Sequence, residues 1–149
     1  MRSTIGMFVV AAVALLPSAV RGQTPAPGFA NGVCTESPHV SDRPPDDPGA
    51  SSFASPGATW FANGARTLWA WWWGRTRTGD YKVLWVRPGR SLKITGTRLD
   101  GASAPMTAHI PAGYSNTYQA SGLTFPTPGC WQVDAAAAGQ TLRFVVRIP

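Results

Sequence analysis

The stretch Thr67-Leu-Trp-Ala-Trp-Trp-Trp73, followed by a polar loop and Tyr81-Lys-Val-Leu-Trp-Val-Arg87, holds five of the seven tryptophans in this 149-residue chain. Both segments are short, rich in bulky side chains and bounded by turn formers, as β-strands are. The loop between them, residues 74–80, carries two glycines and suits a hairpin connection. The sequence therefore predicts an antiparallel hairpin around which the domain is built.

The predicted hairpin has two unlike faces, because side chains alternate from face to face along a strand. If Trp73 pairs with Tyr81, one face collects the large aromatic residues. These are Trp69, Trp71, Trp73, Tyr81 and Trp85. The other face is smaller and more aliphatic, and is the predicted core face: Leu68, Ala70, Trp72, Leu84 and Val86. A slip of one residue in the pairing would reverse the second strand.

The aromatic face admits two interpretations. A contiguous exposed apolar patch is unusual in a monomer, so another layer of the protein can cover the row of indoles. Alternatively the row is exposed and binds a flat ligand, such as a sugar ring or a peptide, because indole combines an apolar body with a polar N–H. A sugar platform requires that Trp69, Trp71 and Trp73 be exposed and roughly coplanar.

The first 22 residues have the pattern of a secretory signal peptide. Arg2 supplies a positive charge, residues 5–16 form an uncharged apolar run, and Pro17 breaks it before small residues that precede Gln23. The run is too short to span a bilayer comfortably, and no second such run follows. The alternative is a retained membrane anchor. The mature chain, residues 23–149, is therefore predicted to be secreted or periplasmic, without a stable transmembrane segment.

Processing at this site predicts a mature N-terminus near Gln23. N-terminal sequencing of the exported protein measures it directly. Recovery of the protein from the cytosol with Met1 intact would contradict the prediction.

The mature chain divides into a lead-in and one domain. Residues 23–58 contain seven prolines, and because proline cannot donate to a sheet ladder, this segment is predicted to be extended or irregular. Residues 59–149 contain short alternating segments with turn signals between them and no helical period. This pattern is typical of an all-β, antiparallel sandwich of immunoglobulin type with about seven strands, and a closed barrel is the alternative.

The clearest alternation lies at the C-terminus. Residues 130–136 and 141–148 are predicted to pair as a hairpin. In the second of these segments one face is apolar and is predicted to point into the core: Leu142, Phe144, Val146 and Ile148. Arg143 and Arg147 fall on the opposite face.

A resemblance supports the same fold. The stretch Ser121-Gly-Leu-Thr-Phe-Pro-Thr-Pro-Gly-Cys-Trp-Gln-Val133, with Gly139 and Leu142-Arg-Phe-Val-Val146, is similar to the ending of a group of small exported bacterial proteins with an immunoglobulin-like domain. It covers the C-terminal segment well and the rest of the domain loosely. The resemblance implies the fold and an exported location. No function is assigned to that group, so no catalytic or binding residue follows from it.

The chain has two cysteines, Cys34 and Cys130. In an exported protein they are predicted to form one disulfide, which would fasten the proline-rich lead-in to the domain. The alternative is two free thiols. Neither cysteine carries the local signals of a thiol nucleophile.

The sequence lacks catalytic and metal-binding patterns. His39 and His109 are the only histidines, and no histidine follows Cys130, as the usual blue-copper cluster would require. Of the seven carboxylates only Asp46 and Asp47 are adjacent, and no Gly-x-Ser-x-Gly motif occurs. We therefore predict no enzymatic activity, no metal and no cofactor.

Basic residues concentrate around the hairpin. Without Arg2 and Arg21, 11 of the 13 basic side chains remain against 7 acidic ones, a net charge of +4. Residues 66–98 hold eight of these basic side chains and one acid, Asp80. Such a stripe attracts polyanions or keeps a tryptophan-rich surface in solution. Nucleic acid is not a predicted partner, because the chain has no recognisable nucleic-acid module.

Two functions are predicted from these features. The first is an exported, non-catalytic interaction module of the cell envelope or extracellular space, which binds a protein or an envelope component. The alternative is a carbohydrate-binding module in which Trp69, Trp71 and Trp73 form a stacking platform for an envelope glycan.

Overall fold

The protein consists of two antiparallel β-sheets packed face to face, with a two-stranded hairpin against one of them. The structure is a computed structural model that describes residues 26–45, 59–77, 79–114 and 117–149, and no helix occurs among these residues. The strands are β1 (Gly28–Ala30), β2 (Val33–Thr35), β3 (Trp60–Ala62), β4 (Trp69–Arg75), β5 (Tyr81–Val86), β6 (Lys93–Arg98), β7 (Thr107–His109), β8 (Tyr118–Thr124), β9 (Gly129–Ala137) and β10 (Gln140–Ile148).

The strand order defines two layers. One sheet has the order β3-β4-β5-β8-β7 and the other has the order β10-β9-β6. All the paired strands are antiparallel. The prediction of an all-β, antiparallel protein is confirmed: eight of the ten strands lie in residues 59–149, where about seven were predicted, and two lie in the lead-in. The predicted signal peptide, residues 1–22, lies outside the described residues.

The C-terminal hairpin forms as the alternation of apolar and polar residues predicted. Strands β9 and β10 pair over their full length, from Gln140 opposite Ala137 to Ile148 opposite Gly129. The four apolar side chains of the inward face are buried and the two arginines are exposed. Phe144 stacks on Phe61 of the other sheet, with ring centroids 4.2 Å apart. This pair joins the two layers at the centre of the core.

The described part of the lead-in, residues 26–45, contains a hairpin that its proline content does not predict. Strands β1 and β2 form a hairpin through Asn31 and Gly32, whose φ angles of 52° and 77° are those of the tight turns that Asn-Gly favours. The chain then runs along the open edge of β10. Ser37 donates its backbone N–H to the carbonyl of Val145 at 2.9 Å, and its Oγ accepts the N–H of Val145 at 2.9 Å. Val145 is buried, although it lies on the face opposite Phe144.

The predicted disulfide is confirmed. Cys34 in β2 and Cys130 in β9 are bonded, with their Cα atoms 5.6 Å apart. The bond spans a sequence separation of 96 residues. It therefore fastens the lead-in hairpin to the three-stranded sheet, as the positions of the cysteines indicated.

The register of the central hairpin differs from the predicted one by one residue. Trp71 pairs with Leu84 and Trp69 with Val86. Leu84 and Val86 therefore share the face of the tryptophan row, whereas Tyr81 and Trp85 point into the core between the sheets. The predicted placement of Tyr81 and Trp85 on the aromatic face, and of Leu84 and Val86 on the core face, was wrong. Leu68, Ala70 and Trp72 lie on the core side as predicted.

The basic stripe is only partly a solvated surface. Arg66 lies 3.1 Å from Asp42, and Arg98 lies 2.7 Å from Asp100. The hydrogen bond from Arg98 holds the pKa of the Asp100 carboxyl below its usual value. Arg87 is buried and donates to Gln119 at 3.2 Å, and this burial lowers the pKa of its guanidinium. Several of the eight cations thus hold the fold together.

Candidate functional site

The outer face of the five-stranded sheet carries a second apolar cluster, separate from the core. Its buried members are Trp60, Trp69, Trp71, Leu84, Val86 and Ala120. The cluster exists because β3, β4, β5 and β8 all turn apolar side chains outward at the same level of the sheet. The five-stranded sheet is therefore apolar on both of its faces.

The indoles of this cluster pack against one another. The ring of Trp60 meets Trp69 edge to face at 6.4 Å and meets Trp71 at 5.8 Å. Trp69 donates its Nε1–H to the carbonyl of Arg66 at 2.9 Å, and the guanidinium of Arg66 lies 5.6 Å from the Trp69 ring centroid. As a result, Trp69 and Trp71 keep only 2% and 5% of their exposure. They form a packed layer and do not meet the condition for a sugar platform.

Trp73 differs from the other two because a β-bulge displaces it. Trp72 pairs with Val83 and Gly74 pairs with Lys82, so Trp73 is the extra residue between them. A bulge bends its strand and redirects the side chains near it, and bulges are frequent next to functional sites. Trp73 is 49% exposed, and it is the most exposed large apolar side chain of this strand.

Both ring faces of Trp73 have neighbours. Trp71 stacks on it nearly parallel, with ring centroids 4.7 Å apart and an interplanar angle of 11°. The ammonium of Lys82 lies 4.6 Å from the Trp73 ring centroid. Lys82 pairs with Gly74, which lies beyond Trp73 from Trp71 along β4, so we infer that its ammonium covers the other face. The stack Trp71–Trp73–Lys82 is held by ring–ring and cation–π attraction.

A groove of about 200 Å³ adjoins this stack. Lys82 of β5, Gly122 of β8 and His109 of β7 lie side by side across its floor. Gly122 makes room for the carboxylate of Asp80, because a Cβ at residue 122 would approach Asp80 Oδ2 to 2.6 Å. Tyr114 completes the wall on the far side. The groove thus combines an ammonium, a carboxylate, an imidazole and a phenol.

The loop that carries Asp80 is fixed by its own hydrogen bonds. The backbone N–H of Thr76 donates to the carbonyl of Asp80 at 2.7 Å, and the N–H of Gly79 donates to the carbonyl of Thr76 at 3.2 Å. The Thr76 hydroxyl also donates to the Asp80 carboxylate. These bonds hold Asp80 over the groove independently of any ligand.

The predicted site residues separate into three groups. Trp73 is exposed and contacts Lys82, which lines the groove; Trp71 stacks on Trp73 from the buried layer, and Trp69 lies within that layer. Tyr81 and Trp85 do not join them: Trp85 donates its Nε1–H to Ser121 Oγ at 2.8 Å inside the core, and Tyr81 packs against Trp72 at 5.1 Å. A binding site at Trp73 therefore cannot include these two rings.

No sequence pattern predicted the polar members of the groove. One signal was available: Gly122 stands inside an otherwise well-formed strand, where glycine often marks the close approach of another group. Nothing comparable marks His109, because residues 107–109 alternate like any half-exposed strand. The contact between Lys82 and Trp73 depends on the bulge, and no sequence pattern predicts that bulge.

The histidines lie at opposite edges of the five-stranded sheet. His39 packs against Phe61 of β3, with ring centroids 4.6 Å apart, whereas His109 belongs to β7. Within the described ranges, histidine, cysteine, aspartate and glutamate form no group of three or more that could hold a metal ion. None of the described segments is a helix of the length and hydrophobicity needed to cross a bilayer.

A larger depression of about 690 Å³ lies beside the three-stranded sheet. Its charged lining consists of Lys93, Asp134 and Arg143. Asp134 is already engaged, since Arg143 donates to it at 2.6 Å and Gln132 donates to it at 2.8 Å. This surface has neither an exposed aromatic ring nor a close-approach glycine, so the Trp73 groove is the better candidate site.

Comparisons of the chain with protein-family models, with curated protein sequences and with solved structures give no match. The class of the protein is therefore defined by its own features. It is an all-β protein of two packed antiparallel sheets, with one disulfide and an exposed indole beside a polar groove.

Proposed function

We propose that this protein is an exported, non-catalytic binding module of the cell envelope or extracellular space. Its binding surface is the outer face of the five-stranded sheet at Trp73, and its partner is a protein or an envelope component. The observation that carries the proposal is the bulge at Trp73, which leaves one indole of a buried tryptophan layer exposed and in contact with Lys82, a lining residue of the groove. Tryptophans in such positions are frequent anchors of binding surfaces.

Two features support an exported location. The Cys34–Cys130 disulfide is typical of oxidising compartments. The apolar run at residues 5–16, with Arg2 before it, supports a signal peptide. We further propose that the two packed sheets are an immunoglobulin-like sandwich, which the C-terminal resemblance supports.

A carbohydrate-binding module is the second candidate. The groove beside Trp73 is lined by side chains that hydrogen-bond sugar hydroxyls, among them Asp80, His109 and Tyr114. In this second candidate function the single indole of Trp73 replaces the predicted platform of Trp69, Trp71 and Trp73.

Replacing Trp73 with alanine is expected to lower retention on the isolated envelope fraction of the expressing cells by about tenfold or more, because the variant loses the exposed anchor. The free energy of unfolding should fall by only about 1 kcal/mol, the value of one lost ring–ring contact. Sedimentation of the protein with the envelope fraction measures retention, and urea denaturation measures stability.

The matched control is Phe29→Ala. Phe29 is also an exposed aromatic residue, 39% accessible, but it lies on the β1–β2 hairpin, away from Trp73. This variant should be retained like the wild-type protein. Equal retention of the wild-type, Trp73→Ala and Phe29→Ala proteins would show that Trp73 is not part of a binding surface.

A further inference from the structure

The stack Trp71–Trp73–Lys82 restricts what can bind at Trp73. A sugar ring binds an indole by lying flat on one of its faces. One face of Trp73 is taken by Trp71, and the other is covered by the ammonium of Lys82. A sugar that stacks over the centre of that face therefore has to displace Lys82, which is an exposed and flexible side chain.

Displacement of Lys82 has a different free energy for neutral and for acidic ligands. A neutral sugar breaks the cation–π contact and offers the ammonium no charge in return. An acidic sugar offers a carboxylate, which binds an ammonium through a charge-assisted hydrogen bond stronger than a neutral one. A single ligand group then draws Lys82 away from the ring, and the ring of the same sugar unit takes its place on Trp73.

The net charge of the β4–β5 hairpin also favours an anion. Arg75, Arg77 and Lys82 lie within the β4–β5 hairpin, and Asp80 is the one acid among the described residues of that hairpin. The Asp80 carboxylate accepts a hydrogen bond from the Thr76 hydroxyl, which stabilises its charged form. With three cations against this one carboxylate, the hairpin presents a net positive field to an approaching polyanion.

We propose that the Trp73 groove binds a carboxylated polysaccharide, with Lys82 acting as the selector between acidic and neutral sugars. The acid group pairs with Lys82, the sugar ring stacks on the uncovered face of Trp73, and the hydroxyls contact the polar wall of the groove. The concave, hydrogen-bonding lining suits a glycan better than a lipid surface, which has no ring to stack. This inference rests on the proposed binding surface at Trp73.

The test compares two probes that share one sugar ring. Oligogalacturonate carries a carboxylate on each unit, and its methyl ester carries none. Isothermal titration of the full mature protein should give an affinity for the acid form at least about tenfold higher than for the ester. The affinity for the acid should fall as salt is raised, because exposed charge pairs are screened.

The decisive variant is Lys82→Met, which keeps the length of the side chain and removes its charge. Its affinity for the acid should fall about tenfold, while its affinity for the ester should rise, because no ammonium then covers Trp73. The control is Lys93→Met, the other lysine of the chain, which is exposed on β6 of the other sheet. Lys93→Met should bind both probes like the wild-type protein.

Several outcomes would overturn this inference. They are equal affinities of the wild-type protein for acid and ester, no effect of Lys82→Met, and binding to phosphatidylglycerol vesicles in place of oligogalacturonate. If neither probe binds while retention on the envelope fraction still depends on Trp73, the acidic-sugar inference fails and the binding function stands. If that retention does not depend on Trp73, the proposed binding function itself fails.

Discussion

Removing the Cys34–Cys130 disulfide is expected to lower the free energy of unfolding by about 4–5 kcal/mol. The bond closes a loop with a sequence separation of 96 residues, and a cross-link of that span restricts the unfolded chain strongly on the chain-entropy model. Cys34→Ala, Cys130→Ala and the double variant should lose similar amounts, because each removes the same bond. Chemical denaturation of the four proteins measures the loss.

Alanine is the better replacement here than serine. Cys130 is buried with 1% exposure, so a serine hydroxyl at that position would add a penalty of its own. A double variant much less stable than either single variant would show that the two cysteines contribute separately. Two reactive thiols in the unfolded, unreduced wild-type protein would contradict the disulfide directly.

The second large effect is expected from Phe144→Ala, with a loss of about 3–5 kcal/mol in the free energy of unfolding. Phe144 touches aromatic rings of the opposite sheet on several sides. Its ring centroid lies 4.2 Å from Phe61, 6.0 Å from Trp72 and 6.2 Å from Trp85. These large rings cannot all move to fill the space, so the substitution leaves a cavity between the layers.

The neighbouring Arg143 provides the control. It is exposed and pairs with Asp134 at 2.6 Å, and exposed ion pairs contribute about 0–1 kcal/mol. Urea denaturation measures both variants, and Arg143→Ala should lose less than about 1 kcal/mol in the free energy of unfolding. Similar losses for the two variants would mean that the assignment of the two faces of β10 is wrong.

The sequence predicted those parts of the fold for which a single sequence pattern decides the structure. Strand β10 alternates without interruption, so its faces, its pairing with β9 and its buried residues all follow from period two. The two cysteines left only one intramolecular pairing to choose.

The hairpin β4–β5 shows where this reasoning stops. Both faces of its strands are apolar, because the sheet is covered on both sides, and hydrophobicity then cannot distinguish one register from the next. The bulge at Trp73 shifts the pairing by one residue and moves Tyr81 and Trp85 into the core. The groove could not be predicted either, because its members come from β5, β7, β8 and a loop and meet only in the folded sheet.

The lead-in against β10 has a consequence for self-association. An open edge strand exposes unpaired backbone groups and is a template for aggregation. Here Ser37 binds the backbone of Val145, and the carboxylate of Glu36 accepts the N–H of Arg147 at 2.7 Å. The disulfide at Cys34 holds this segment of the lead-in against β10. Oxidation of the two cysteines therefore protects the protein from intermolecular β-pairing, beyond any effect on its stability.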